Sequence, residues 1–115
     1  LWEPLARRHM ATARSRMKLR DVAGADRDYA AAEALLQRQL GSNHRQTATA
    51  MRNRAYAAFE AGNIALALPR IAAANRIYTR VLEGDHPLLA DNLILQGRVQ
   101  IASGAPEAAL ASLAQ

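Results

Sequence analysis

Apolar residues recur along the chain at intervals of three and four, which is the spacing of one face of an α-helix. In the middle of the sequence one such face consists of Ala48, Met51, Ala55 and Ala58. The Gly62-Asn63 pair is predicted to end this helix, because glycine readily adopts the left-handed conformation that closes a helix. A second apolar face follows, made of Ile64, Ala67, Leu68, Ile71, Ala74, Ile77, Tyr78 and Leu82. This region is therefore predicted to be two helices joined by a short turn.

The same pattern recurs when the sequence is shifted by 42 residues, and no gap is needed. Gly62 then falls on Gly104, and in the other direction Val22 falls on Ile64. Self-similarity at a fixed period is the signature of repeat proteins. We therefore predict about two and three-quarter copies of one helix-pair unit, at residues 1–42, 43–84 and 85–115.

Each later unit opens with a polar pair that follows a glycine. The pairs are Asn43-His44 and Asp85-His86. Asn43 and either Asp85 or His86 are predicted to cap the helices that follow them, and Asn63 is predicted to cap the second helix of its unit. The two histidines thus mark the boundaries between repeats and are expected to pack or cap rather than to bind metal.

Composition supports an all-helical domain. The 115 residues suffice for one domain, and half of them are apolar, with mostly alanine and leucine and few aromatic residues. No run of 18 apolar residues is present, so no membrane span is predicted, and we expect a cytoplasmic location. The sequence begins without methionine and stops within an alanine-rich helical pattern, which we interpret as a fragment of a longer protein.

These residues resemble the tetratricopeptide repeat, in the long 42-residue variety that is similar to kinesin light chains and to many bacterial signalling proteins. The resemblance covers essentially the whole chain. It implies an all-α, right-handed superhelical array of antiparallel helix pairs. It also implies small residues where the helices of a pair touch, here Ala55 with Ala67 and Ala74, and a glycine in the turn between them, here Gly62 and Gly104.

Two positions depart from the family pattern. Arg20 stands where the later units have the turn glycine, and Gly24 falls within the following helix. The first turn is therefore expected to be displaced into residues 22–25. Arg54 and Gln96 occupy a position that is usually leucine in the family, which predicts looser packing against the preceding unit.

Catalysis is the least expected function. The sequence contains no cysteine, no HExxH motif, no phosphate-binding glycine loop and no serine elbow. The three histidines form no ligand cluster in sequence. We therefore predict a protein that is not an enzyme and that needs neither a cofactor nor a metal.

Charge is concentrated in the first half of the chain. Residues 1–56 contain 11 basic and five acidic residues, and 14 of the 15 basic residues in the whole chain are arginine. Arginine binds carboxylate or phosphate in bidentate fashion. In the family that this sequence resembles, the first helix of each unit lines a concave groove that binds extended peptides. Carried over to this sequence, the groove candidates are Arg7, Arg14, Arg52, Asn53, Tyr56 and Arg98, with Asp91 as an opposing charge. Other arginines, at positions 8, 16 and 45, are predicted to lie on other sides.

Two classes of partner compete, and a third role is open. The leading hypothesis is an interaction module whose groove binds a short acidic peptide from another protein or from its own parent chain. The alternative is nucleic-acid binding through the basic first half, although Tyr56 is the only good candidate for base stacking among the arginines. The third is a scaffold or regulatory domain that self-associates through its uncapped ends.

Overall fold

The computed structural model describes residues 2–84 and 86–104, and these residues form five α-helices. The helices are α1 (Trp2–Lys18), α2 (Val22–Leu40), α3 (Arg45–Glu60), α4 (Ile64–Val81) and α5 (Pro87–Ala102). The described residues contain no β-strand. Consecutive helices pack as antiparallel pairs, so the predicted all-α repeat fold is confirmed.

The helices recur at the period read from the sequence. Helices α3 and α5 begin 42 residues apart, and α2 and α4 also begin 42 residues apart. Each helix packs chiefly on its neighbours in the chain, which gives a slab with extents of 44 × 33 × 19 Å. Successive stacking leaves the first helices, α1, α3 and α5, side by side as one layer.

Small residues form most of the core. Ala55 and Ala67, which were predicted to touch, lie in one buried cluster with Ile71. Ala74 belongs to a neighbouring cluster with Ala48. Alanine lets two helix axes approach closely, which explains how a chain with so few aromatic residues builds a continuous core.

Helix caps follow the 42-residue period, but at α3 a histidine caps the helix in place of the predicted asparagine. Asn63 caps α4 as predicted, because its Oδ1 accepts from the Leu66 amide at 3.2 Å. His44 caps α3, whose Gln46 amide donates to His44 Nδ1 at 3.1 Å. The prediction for Asn43 is therefore wrong, and Asn43 Oδ1 instead accepts from Arg80.

His86 repeats this arrangement at the start of α5. The Leu88 amide donates to His86 Nδ1 at 3.1 Å, so the prediction that His86 acts as a capping residue is confirmed. The other candidate, Asp85, lies outside the described residues, as do residues 105–115 of the third unit.

The first turn keeps the register of the other turns, so the predicted displacement is wrong. Arg20 has a φ of 64°, and Gly62 and Gly104 have φ values of 79° and 83° at the matching positions. An arginine thus adopts the left-handed conformation that glycine adopts in the later turns. Gly24 leaves space for the Asp21 carboxylate, which accepts the Gly24 amide as the α2 cap, and an added Cβ there would require the Asp21 and Arg16 side chains to move.

Arg54 contacts acidic residues of α2 where the family usually has leucine. Its guanidinium lies 3.5 Å from Asp26 and 3.3 Å from Glu33. Arg70 of α4 adds a 3.0 Å contact to the same Asp26 carboxylate. These side chains are between 18% and 33% exposed, so a half-buried ion-pair network joins α2, α3 and α4.

The matching junction between α4 and α5 is built differently. Gln96 and Asn75 stand 42 residues after Arg54 and Glu33. Their buried side-chain oxygens have no hydrogen-bond partner among the described residues. The polar positions at the two junctions are thus charged and paired in one case, and uncharged in the other.

Candidate interaction groove

The first helices share one side of the molecule, and a cavity of about 240 Å³ opens there. All three first helices line this cavity, together with one residue of α2. The lining residues are Trp2, Glu3, Ala6, Arg7 and Met10 of α1, Leu36 of α2, Arg45, Gln46 and Thr49 of α3, and Leu88 of α5. The side formed by α1, α3 and α5 is hereafter called the groove.

Tyr29 is buried where α1, α2 and α3 pack together. Tyr29 lies on α2, is only 4% exposed, and packs with Ala13 and Ala57. Burial raises the pKa of its hydroxyl, and the guanidinium groups of Arg14 and Arg52 oppose part of this rise. Arg14 and Arg52 are therefore near enough to Tyr29 for their charges to act on its hydroxyl.

A second hydroxyl lies on the α5 side of Arg52. Tyr78 is fully buried, and its hydroxyl shares a 2.7 Å hydrogen bond with Thr49. Burial raises the pKa of this hydroxyl, while the hydrogen bond from Thr49 and the charges of Arg52 and Arg45 lower it; the Asp91 carboxylate acts in the raising direction. Asp91 is therefore near enough to Tyr78 for its charge to act on this hydroxyl, and its role opposite the arginines stays a prediction.

The remaining predicted residues extend the groove in both directions. Asn53 is half-buried, and its Oδ1 accepts a 3.4 Å hydrogen bond from Arg52. Arg98 of α5 lies over the Phe59 ring of α3, with 5.3 Å between the guanidinium carbon and the ring centroid. Arg7 is exposed and lines the cavity. Arg7 thus lines the cavity, whereas Arg98 is not one of the residues that line it, and its place in the groove stays a prediction.

Arg45 was placed on another side of the helix by sequence reasoning, and that prediction is wrong. Arg45 lines the cavity and acts on the Tyr78 hydroxyl. The signal was available, since Arg45 precedes Thr49 by four residues and side chains four apart share a helix face. Arg16 does lie away from the groove, where it contacts Asp21 at 3.0 Å and Asp28 at 2.9 Å.

The arginines assigned to the groove have no ion-pair partner among the described residues, and the same holds for Arg8, Arg27, Arg38, Arg76 and Arg80 outside it. Among the described residues, no carboxylate lies within 4.0 Å of the guanidinium groups of Arg7, Arg14, Arg45, Arg52 or Arg98. The described acids of α2 and its cap are instead all paired, with partners on α1, α3 and α4. The groove consequently carries uncompensated positive charge next to half-buried aromatic and amide groups.

This architecture defines a helical-repeat domain, and the sequence comparison identifies its family. The tetratricopeptide repeat family matches residues 46–115, and the chain belongs to this family. No curated protein matches the sequence. The predicted family is therefore confirmed.

A solved structure shows the same fold. The chain superposes on the crystal structure of BtubC (BKLC) from P. vanneervenii with a TM-score of 0.91 and 22% sequence identity. The match covers 96% of this chain and 44% of that chain, so the present chain spans less than half the length of that protein.

Tetratricopeptide repeat domains generally mediate protein–protein interactions and are typically non-catalytic, and no catalytic family is found for this chain. Within residues 2–84 and 86–104, no three histidine, aspartate or glutamate side chains are grouped as metal ligands would be. No helix in this part of the chain has the length and apolar character of a membrane span.

Proposed function

We propose that the groove binds a short acidic segment of a partner protein or of this protein's own parent chain. The observation that carries this proposal is that Arg7 and Arg45 line the cavity between the first helices, and that no carboxylate lies within 4.0 Å of their guanidinium groups or of those of Arg14 and Arg52 among the described residues. Guanidinium groups bind carboxylates through paired, charge-assisted hydrogen bonds, each contributing about 1.5–3 kcal/mol.

The groove residues divide into three roles. Arg7, Arg14, Arg52 and Arg98 supply positive charge along the path of the peptide, as does Arg45 beside the cavity. Asp91 opposes them and discriminates against an acidic residue at its own position. The groove therefore selects for acidic residues at the peptide positions next to the arginines and against them at the position next to Asp91.

Asn53 and Tyr56 contact the peptide backbone and its apolar parts. Because Asn53 Oδ1 already accepts from Arg52, the Asn53 amide nitrogen remains to donate to a peptide carbonyl. Tyr56 packs at the edge of the core cluster around Ile71, so its ring offers a fixed amphipathic wall. Both side chains are held by the repeat scaffold, which lowers the entropy lost on binding.

Fluorescence anisotropy of labelled acidic peptides tests the proposal. Arg52→Ala and Asn53→Ala are each expected to weaken binding by about tenfold, the equivalent of 1.4 kcal/mol, while helicity is unchanged. Arg76→Ala is the matched control, because Arg76 is exposed on α4 and lines no part of the groove cavity. Unchanged affinity in both groove variants would remove the proposal.

A charge-matched single-stranded oligonucleotide serves as the competitor in the same titration. A peptide groove predicts weak displacement by the oligonucleotide near physiological salt. Strong displacement, together with affinity that falls steeply with salt for any phosphate-bearing strand, would instead assign the arginines to nucleic-acid binding.

A further inference from the structure

A second cavity, of about 390 Å³, lies on α4 and is separate from the groove. Asn75, Arg76, Thr79 and Arg80 line it, so it occupies one face of the last turns of that helix. None of the residues that line the groove cavity belongs to α4. This second cavity, hereafter called the α4 cavity, is therefore a distinct candidate site.

The α4 cavity is positively charged. Arg76 and Arg80 are both exposed, and among the described residues no carboxylate lies within 4.0 Å of either guanidinium group. The four lining residues include no acid. The two arginines are four residues apart, so they share a face of α4 and their like charges repel each other. An anion bound between them would relieve this repulsion.

A neutral hydrogen bond holds Arg80 in place. Its Nη1 donates to Asn43 Oδ1 at 2.7 Å, in the segment that joins α2 to α3. Asn43 carries no charge, so this bond orients the guanidinium group without compensating its charge. A guanidinium group has five N–H donors, and those that Asn43 does not accept remain available to a ligand.

Two uncharged side chains add hydrogen-bond donors to the α4 cavity. Thr79 is exposed, and its hydroxyl can donate one hydrogen bond. Asn75 Oδ1 is buried, so the amide nitrogen is the atom of this group that is left to face the cavity. Guanidinium, hydroxyl and amide donors without an acid suit an oxyanion ligand.

The charge of the α4 cavity fits a phosphate group better than a carboxylate. A phosphorylated serine or threonine carries a charge of about −1.5 to −2 at pH 7 and presents three strong acceptor oxygens. A carboxylate carries a single negative charge and has two oxygens. Two unpaired arginines, together with Thr79 and Asn75, therefore match the phosphate group in both charge and number of donors.

The small extent of the site favours a phosphate on a protein side chain over one in a nucleic acid or a membrane. Single-stranded nucleic acids bind along basic tracks with aromatic side chains that stack on the bases, and none of the four lining residues is aromatic. Recognition of anionic lipids typically uses clusters of about four to eight basic residues, whereas two line this cavity.

We propose that the α4 cavity binds the phosphate group of a phosphorylated serine or threonine in a partner protein. Arg76 and Arg80 share the charge of the phosphate, and Thr79 and Asn75 donate to its oxygens. The site is separate from the groove, so this inference does not rest on the acidic-peptide function proposed there.

Fluorescence anisotropy with three labelled peptides tests this site. The peptides are nine-residue glycine-alanine chains whose central residue is phosphoserine, serine or aspartate. Each is titrated against the unaltered protein, Arg76→Gln, Arg80→Gln, Arg38→Gln and Arg52→Gln. Arg38 is the matched control, because it stands 42 residues before Arg80 on α2, is exposed, and does not line the α4 cavity. Arg52→Gln reports on the groove.

The phosphoserine peptide is expected to bind at least tenfold more tightly than the aspartate peptide, and the serine peptide is not expected to bind. Arg76→Gln and Arg80→Gln should each weaken phosphoserine binding by about tenfold, because each removes a charge-assisted hydrogen bond. Arg38→Gln and Arg52→Gln should leave it unchanged. Amide chemical shifts of residues 75–80 should move on titration, and circular dichroism confirms that each variant keeps its helices.

Three results would overturn the proposal. The first is that the phosphoserine peptide does not bind, or binds no more tightly than the aspartate peptide. The second is that its affinity falls in Arg52→Gln but not in Arg76→Gln, which would assign the phosphate to the groove. The third is that a single-stranded oligonucleotide binds more tightly than the peptide and loses affinity in Arg76→Gln and Arg80→Gln, which would assign the α4 cavity to nucleic acid.

The two proposals fail separately. The groove is tested with unphosphorylated acidic peptides and with substitutions at Arg52 and Asn53. Unchanged binding of those peptides in the groove variants would remove the acidic-peptide function and leave the α4 cavity untouched.

Discussion

The left-handed arginine in the first turn offers a test of the repeat register that is independent of binding. Arg20 has a φ of 64°, at the position where the later turns have Gly62 and Gly104. A residue with a Cβ in this conformation costs about 1–2 kcal/mol relative to glycine. Arg20→Gly removes this cost, but it also removes the 3.3 Å contact to Glu60 and makes the unfolded chain more flexible.

A comparison with Arg20→Ala isolates the backbone contribution. Both variants lose the contact to Glu60, and the arginine side chain is 68% exposed, so that loss is at most about 1 kcal/mol in either case. Alanine retains the left-handed strain and glycine does not. The greater freedom of glycine in the unfolded chain offsets about 0.5–1 kcal/mol of this gain. We therefore expect the free energy of unfolding to be about 1 kcal/mol higher for Arg20→Gly than for Arg20→Ala.

Urea denaturation followed by circular dichroism measures this difference, which corresponds to about 4 °C in Tm for a chain of this length. The same pair of substitutions at Arg8, exposed within α1, is the control. There the sign reverses, because glycine inside a helix is about 1 kcal/mol less stable than alanine. If Arg20→Ala is as stable as Arg20→Gly, or more stable, then Arg20 does not adopt the left-handed conformation. The register of the first turn would then differ from that of the later turns.

Three further predictions concern the caps, the ion-pair network and the buried phenols. His44→Ala is expected to lower the free energy of unfolding by about 1 kcal/mol and His44→Asn to leave it nearly unchanged in urea melts, because asparagine also accepts the Gln46 amide. Arg54→Ala is expected to cost about 1–3 kcal/mol, since Glu33 loses its only ion-pair partner among the described residues; a double-mutant cycle with Glu33→Gln measures the coupling. Tyr78 has a raised pKa in the folded state, so its contribution to stability is fully present below the unfolded value of 10.0 and is lost as pH rises above it. Urea melts between pH 8 and about 11 should show this loss, and the loss should be smaller in Tyr78→Phe.

Contrary results would each overturn a specific feature. Equal losses in His44→Ala and His44→Asn would mean that the side chain packs and does not cap. Additive effects of Arg54→Ala and Glu33→Gln would mean that the 3.3 Å contact contributes no coupling energy. An identical alkaline slope in the native protein and in Tyr78→Phe would mean that this phenol does not titrate with unfolding.

The repeat fold could be predicted from the sequence because periodicity is a local property. Spacings of three and four located the helix faces, and the shift of 42 aligned Asn63 with Asp21, both of which cap helices in the structure. The identity of the cap at α3 could not be decided in this way. Asn43 and His44 are both able to accept an amide, and the choice depends on a tertiary contact, the bond from Arg80 to Asn43.

The residues of the groove could likewise be predicted only in part from the sequence. Periodicity predicted which side of each first helix is polar, and only the resemblance to the family assigned Arg14, Arg52 and Tyr56 on that side to a groove. Tyr29 was outside that reasoning because it lies on a second helix, α2, and packs with Ala13 of α1 and Ala57 of α3. The contacts of a residue between two helices cannot be predicted from the apolar spacing of either helix alone. The cavity was missed for the same reason, since its walls come from α1, α2, α3 and α5 together.

The ion pairs show which charged residues stabilise the contacts between helices and which remain unpaired in the described part of the chain. With 15 basic and ten acidic residues, a random surface would have arginines and acids mixed on every side. In the structure the acids of α2 are paired with Arg16, Arg54 and Arg70, so they stabilise the contacts between helices. The arginines that remain without ion pairs in the described part of the chain include those of the groove. The groove charge is therefore available to a ligand without first breaking an internal pair, which is the condition for an acidic partner to gain the full electrostatic attraction.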